Sequence, residues 1–178
     1  MAVIGWVGLG NMGGHMSVNL AKAGHEVRGF DLNPAALAAA EAGGVQPAGS
    51  IAEAVRGADA VFTMLPKGEH ARAVYLGADG VLAHADTRTL LIDSSTIDIA
   101  SAQALHDAAA AASFRFVDAP VSGGMSGAEA GTLTFMVGGE GGAVADATGY
   151  IGPMAGNIIP TGGATTGQAA KICNNLML

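Results

Sequence analysis

The feature that most restricts the fold of this chain is a recurrence: short apolar runs, each followed by a turn and then by a segment of helical character. The runs are "AVIGWVG", "HEVRGFD", "ADAVFTML", "RTLLIDS", "FRFVDAP", "TLTFMVGG" and "GNIIPTG". They lack strict alternation of apolar and polar residues, the pattern of strands covered on both faces. Between them lie segments such as "NMGGHMSVNLAKAG", "NPAALAAAEAGG" and "TIDIASAQALHDAAAAA", with Ala, Leu and Met at helical spacing and Gly or a small polar residue at the ends. This alternation predicts βαβ units, hence an α/β, doubly wound, mostly parallel sheet with flanking helices. From Thr165 onward the pattern predicts one more helix, which reaches the last residue without a Gly stop or a basic last turn.

A length of 178 residues suits one domain with a substantial core. Half the residues are hydrophobic and only 13% are charged, against roughly a quarter in an average soluble protein. Much surface is therefore expected to be buried, or ligand loops to be many. The net charge of −7, with only eight Lys plus Arg, excludes the clustered basic surface that nucleic acid requires. Cys173 is the only cysteine, so an internal disulfide and a cysteine-based metal site are both excluded. The histidines at 15, 25, 70, 84 and 106 form no recognised ligand spacing, so no metal is expected. The apolar start lacks a positive leader, and no apolar run reaches about 18 residues. The expectation is a cytoplasmic protein with no membrane partner.

"GLGNMG", residues 8 to 13, matches GxGxxG directly after the first apolar run and at the start of the first helical segment. In that context the glycines have separate tasks: Gly8 makes the tight turn, Gly10 lets backbone approach a pyrophosphate, and Gly13 lets helix and strand pack closely. Leu9, Asn11 and Met12 complete the loop, and the helix N-terminus adds free N–H groups and partial positive charge. Asp31 ends the second strand, where a carboxylate can accept hydrogen bonds from both ribose hydroxyls and would repel a 2′-phosphate. No Arg follows it, so the expected cofactor of this Rossmann-type domain is NAD. The competing reading makes Asp31 the N-cap of a helix beginning at Pro34.

Two further stretches carry polar chemistry. In "DAPVSGG", Ser122 supplies a hydroxyl, and Gly123 and Gly124 supply amides with no side chain in the way, a cradle for a carboxylate or else a flexible turn. Lys171 and Asn175 are four apart and project from one helix face. A lysine in the apolar "AAKI" either exchanges a proton with substrate or extends past a buried stem to solvent. Cys173 reads as a small buried packing residue.

Together the stretches "GLGNMGG", "FDLNP", "MLP", "DSSTI", "DAPVSGGMSGAEAGTLTFMVGG" and "GQAAKICNN" resemble the β-hydroxyacid dehydrogenase family, in order along the whole chain. The resemblance implies that Gly8 to Gly13 and Asp31 hold NAD, with Leu65, Pro66, His70 and Thr96 lining its nicotinamide half. It implies Ser122, Gly123 and Gly124 at the substrate carboxylate, Lys171 as the acid/base and Asn175 orienting it or the substrate. The implied reaction is NAD-dependent oxidation of 3-hydroxyisobutyrate to methylmalonate semialdehyde, a step of valine breakdown. The alternatives are another small 3-hydroxy acid, such as that of tartronate semialdehyde reduction, and a non-catalytic NAD-binding module. Residues 1–164 are then the NAD-binding domain, and 165–178 begin the helix that in this family leads to an all-α second domain carrying much of the dimer contact. That domain is absent from these 178 residues, so the expectation is weak activity alone and a homo-oligomer in the full-length parent. Two departures from the family pattern are His15, where Pro is usual, and Thr165, where Gly is common.

Overall fold

The computed structural model describes residues 1–177. Its first half runs β1 (Val3–Val7), α1 (Gly13–Lys22), β2 (Glu26–Phe30), α2 (Pro34–Ala42), β3 (Gln46–Pro47), α3 (Ile51–Val55), β4 (Ala60–Thr63), α4 (Gly68–Leu76), α5 (Val81–His84) and β5 (Leu90–Asp93). The second half runs α6 (Ile99–Ala111), β6 (Arg115–Asp118), β7 (Val121–Ser122), α7 (Gly124–Ala130), β8 (Leu133–Gly139), α8 (Gly141–Ile151), β9 (Ala155–Gly162) and α9 (Thr166–Met177).

All the strands join one sheet, and β3-β2-β1-β4-β5-β6 is parallel throughout. The order reverses between β1 and β4, so the loops after these two strands diverge and leave a crevice at their carboxyl ends. Beyond β6 the sheet changes character. Val117 faces Gly139, Asp118 faces Gly138, Val121 faces Phe135 and Ser122 faces Thr134, all antiparallel. Met136 N donates to Pro120 O at 3.0 Å between them, so β6 and β7 are two pieces of one strand lying along β8. On the other edge of β8, β9 runs parallel to it.

Every apolar run named above forms a strand, and the sheet is Rossmann-like and mostly parallel as expected. The reading omitted β3 and β7, which are two residues each, and the antiparallel direction of β8 has no signature in its composition.

Alternate residues of the central strands explain the unbroken apolar runs. Ile4, Trp6, Ala60, Phe62, Leu90, Ile92 and Val117 point to one face, against Met16 and Leu20 of α1 and Val144 and Ile151 of α8. Val7, Val61, Leu91 and Phe116 point to the other, against Val55, Tyr75 and Leu105 from α3, α4 and α6. Each face has its own core, so neither strand register can be polar. Trp6 and Phe62 stack with ring centroids 5.1 Å apart, and Trp6 Nε1 donates to Gly8 O at 2.9 Å. The largest core side chain thus holds the loop that leaves β1.

The loop itself depends on two glycines. Gly8 has φ +96°, and a Cβ on Gly13 would lie 2.0 Å from Gly8 O. A Cβ on Gly10 would meet nothing within 4 Å. Gly13→Ala is therefore expected to lower the unfolding free energy by about 1–3 kcal/mol, whereas Gly10→Ala should stay within about 0.5 kcal/mol of the parent. Urea unfolding of both variants measures the difference; equal losses would contradict the division of labour.

Candidate functional site

Because the first six strands of the sheet order run the same way, their carboxyl ends assemble on one edge. Gly8, Gly10, Asp31, Leu65, Pro66 and His70 line a single cleft there of about 440 Å³, closed at the back by Val7, Phe30, Ile51, Met64, Ala73 and Val74. Asp31 Oδ2 accepts from Leu9 N at 2.7 Å and Oδ1 accepts from Asn33 N at 2.7 Å. Both oxygens keep a lone pair for a hydroxyl. The cap of α2 is Asn33, whose side chain accepts from Ala35 N at 3.0 Å, so Asp31 does not serve as that cap. Leu32 beside it is 90% exposed and offers no cation to a phosphate.

Four loop residues lie outside that lining. Leu9 is buried, with its amide committed to Asp31. Asn11 lines a shallower hollow between α1 and α2 with His15 and Asn33. Gly13 packs on Gly8. Met12 is the residue before α1, with no side-chain capping bond. Thr96 is exposed on the loop after β5, outside the cleft lining.

The second group gathers along α9. Gly167 lies against backbone: a Cβ there would be 2.5 Å from Met136 O and 2.6 Å from Asp118 O. Seven residues on, Asn174 reaches Ser122 Oγ at 3.5 Å. The helix thus runs from the level of Asp118 to the level of Ser122, and Lys171 lies midway. Lys171 is 9% exposed, and burial holds its amine below the ordinary lysine value. Among the described residues it makes no ion pair. Gly123 and Gly124 have φ of +134° and +63°, which aim the turn after Ser122 in a way that side-chain-bearing residues resist.

The inward face of α9 is Gly167, Gln168, Lys171 and, in part, Asn174, while Asn175 is exposed. Asn175, four residues after Lys171, is exposed, and Asn174, three residues after it, meets Ser122. Cys173 is exposed, contrary to its reading as a packing residue, because two residues turn a helix by about 200° and Lys171 takes the buried side.

A family profile described as the NAD binding domain of 6-phosphogluconate dehydrogenase matches residues 3–163. The chain belongs to that family, and NAD is its cofactor. The cleft fits it, with an open approach at Gly10 and a carboxylate at its rim. The chain is 48% identical over 178 residues to a 3-hydroxyisobutyrate dehydrogenase of Pseudomonas aeruginosa, covering all of this chain and 60% of the relative. It is 46% identical to an NAD-dependent L-serine dehydrogenase of the same organism, with the same coverage. A Mycobacterium tuberculosis 3-hydroxyisobutyrate dehydrogenase structure described with L-serine superposes with TM-score 0.96 at 51% identity, covering 99% of this chain and 60% of that one. The chain therefore spans about 60% of the length of these relatives.

Several polar residues at this edge were missed in the sequence. Asp93 is fully buried at the end of β5; Thr63 Oγ1 and Ser95 N donate to its Oδ1 at 2.8 and 3.1 Å, while Oδ2 has no partner among the described residues. Burial pushes its carboxyl up from 3.8 to about 6. Gln168, Asp118 and His106 form a second buried group. A strand-end "D" inside an apolar run was the one available signal for Asp93 and Asp118 alike.

The raised carboxyl makes a pH prediction. The folded state holds the Asp93 proton up to about pH 6 and the unfolded chain only to about 3.8, so between these values the folded state binds more protons. Stability from this group is then greatest at low pH and falls as pH rises from about 4 to 6, by on the order of 3 kcal/mol. Asp93→Asn should remove that decline. Denaturant unfolding at several pH values, parent minus variant, gives the difference; a difference independent of pH would refute the assignment.

Proposed function

We propose that this chain is the cofactor-binding part of an NAD-dependent 3-hydroxyisobutyrate dehydrogenase, acting in valine breakdown and producing methylmalonate semialdehyde. The observation that carries the reading is the largely buried side chain of Lys171, without an ion-pair partner among the described residues, on a helix whose next inward residue reaches Ser122. A hydroxy acid has two handles. Its carboxylate suits the Ser122 hydroxyl and the amides of Gly123 and Gly124. Its 3-hydroxyl then needs a base, and an amine kept below the ordinary lysine value is neutral more readily and accepts that proton. NAD, when bound, supplies the hydride acceptor. Lys171 and the cradle fix the alcohol and take its proton. Leu65, Pro66 and His70 line the cofactor side, with Thr96 on the loop after β5. Asn175, one helical turn after Lys171 and exposed, orients Lys171 or the substrate.

A second substrate, L-serine, is supported by the relative named for it and by the mycobacterial structure described with it. It too carries a carboxylate and a 3-hydroxyl, so the same cradle and base would serve. Because these relatives extend beyond the matched residues, the 178 residues alone are expected to bind NAD and turn over weakly.

The test combines NAD titration with NADH formation from 3-hydroxyisobutyrate, L-serine and D-glycerate under single-turnover conditions. Lys171→Ala should slow NADH formation about 10²–10⁴-fold with NAD affinity unchanged, and the parent rate should rise with pH through the lowered lysine pKa. Absence of NADH from every substrate would refute the dehydrogenase reading, and loss of NAD binding in Lys171→Ala would refute the role given to Lys171.

A further inference from the structure

Gln168 is completely buried, one helical turn before Lys171, and both ends of its amide are used. Its Oε1 accepts from Ile97 N at 3.1 Å, and its Nε2 donates to Ser95 O at 2.6 Å. An acceptor is needed on one side and a donor on the other, so a carboxylate cannot replace it at neutral pH and an asparagine is one methylene short. Ser95 in turn accepts at Oγ from Leu65 N, at 2.8 Å, and Leu65 lines the cofactor cleft. A continuous set of bonds thus leads from the cleft wall through Ser95 to the helix that carries Lys171.

The same turn of helix is held from the opposite side. Asp118 Oδ2 accepts from Gln168 N at 2.8 Å, and Oδ1 accepts from Thr165 N at 3.0 Å. A carboxylate from a neighbouring strand therefore caps α9, where negative charge is also favoured by the helix dipole. Asp118 is buried too, and His106 Nε2 on α6 lies 2.7 Å from its Oδ1. Thr165, which makes the turn into α9, has φ +67° and is one of two non-glycine residues with positive φ among those described. The entry to α9 is bent and over-determined, whereas the outer face of the helix carries exposed Ile172, Leu176 and Met177.

We propose that Gln168, with Asp118 behind it, is a positioning residue that sets the place of Lys171 relative to the cofactor cleft. Three residues separate Gln168 from Lys171, so they share a face, and any rotation of the first turn of α9 carries the amine with it. Without the clamp, α9 would be held on this side by the packing of Gly167 and the long Asn174–Ser122 contact, and the amine would gain further access to water. The inference rests on reading Lys171 as the proton-transfer group.

The chain has three lysines, Lys22, Lys67 and Lys171, so each can be followed separately by NMR after ¹³C reductive methylation. In the parent, Lys171 should titrate below the ordinary lysine value. In Gln168→Met, which keeps length and burial but makes neither side-chain bond, the Lys171 midpoint should shift upward; Asp118→Asn should shift it in the same direction. Leu20→Ala, in the core under α1 and distant from α9, should weaken the fold without moving Lys171. An unchanged Lys171 titration in folded Gln168→Met would overturn the proposal, as would an equal shift in Leu20→Ala. Should Gln168→Met fail to fold, Gln168→Asn, too short to span both partners, takes its place with the same two outcomes. The titration uses the full chain without substrate. A parent that never reduces NAD would remove the dehydrogenase reading, while the lysine titration still decides whether Gln168 places Lys171.

Discussion

The close approach of Gly8 and Gly13 is the contact on which the cofactor side depends. It brings the first turn of α1 against the end of β1, with no room for a single added carbon. Trp6 reinforces it from below by bonding Gly8 O, and Asp31 does so from the side by taking the Leu9 amide. The loop is thus fixed by backbone and core before any ligand is considered. What remains open is Gly10, the helix N-terminus and the outer lone pairs of Asp31, which are the groups a dinucleotide would use. Preorganisation of this kind lowers the ordering cost of binding.

The second half of the site needs a different topology. Parallel strands such as β1 to β6 all end at the carboxyl edge of the sheet. Instead β8 descends antiparallel to the joined β6 and β7, and β9 runs down beside it, ending at Gly162 opposite Gly138, level with Asp118. From that point α9 can climb past Lys171 to Ser122. The change from parallel to antiparallel pairing is therefore what places the turn at Ser122 to Gly124 and Lys171 on the same edge as the cleft.

The sequence was most legible where burial is two-sided and the helical segments are long. Runs such as "RTLLIDS" could only be covered strands, and the Gly loop with Asp31 could be placed from spacing. Short elements were lost: α3 and α5 have five and four residues, too few for a periodic signal. The contact of Asn174 with Ser122 was lost as well, because spacing relates Lys171 to both Asn174 and Asn175 and does not say which of them meets β7. Gln168 gave no signal, since glutamine is usually exposed and nothing in its neighbours reveals two buried backbone partners. Thr165 was noticed as a departure from Gly, and its left-handed backbone supplies the physical reason why Gly is common there.

The handling of charge distinguishes the three buried ionisable groups at this edge. Asp118 is surrounded by donors, two helix amides and His106, and its negative charge is matched by the helix end. Asp93 has donors on one oxygen only, and the cost of burying the other shows as a carboxyl raised to about 6. Lys171 has a largely buried side chain and no carboxylate partner among the described residues. A neighbouring carboxylate would have stabilised the ammonium and raised its pKa, leaving less of the amine neutral near pH 7. Leaving it unpaired weakens the protonated form instead, and the energetic cost is carried by bonds elsewhere on α9. This is why the capping carboxylate acts on the helix backbone one turn away: it can hold the lysine in place without forming an ion pair with it.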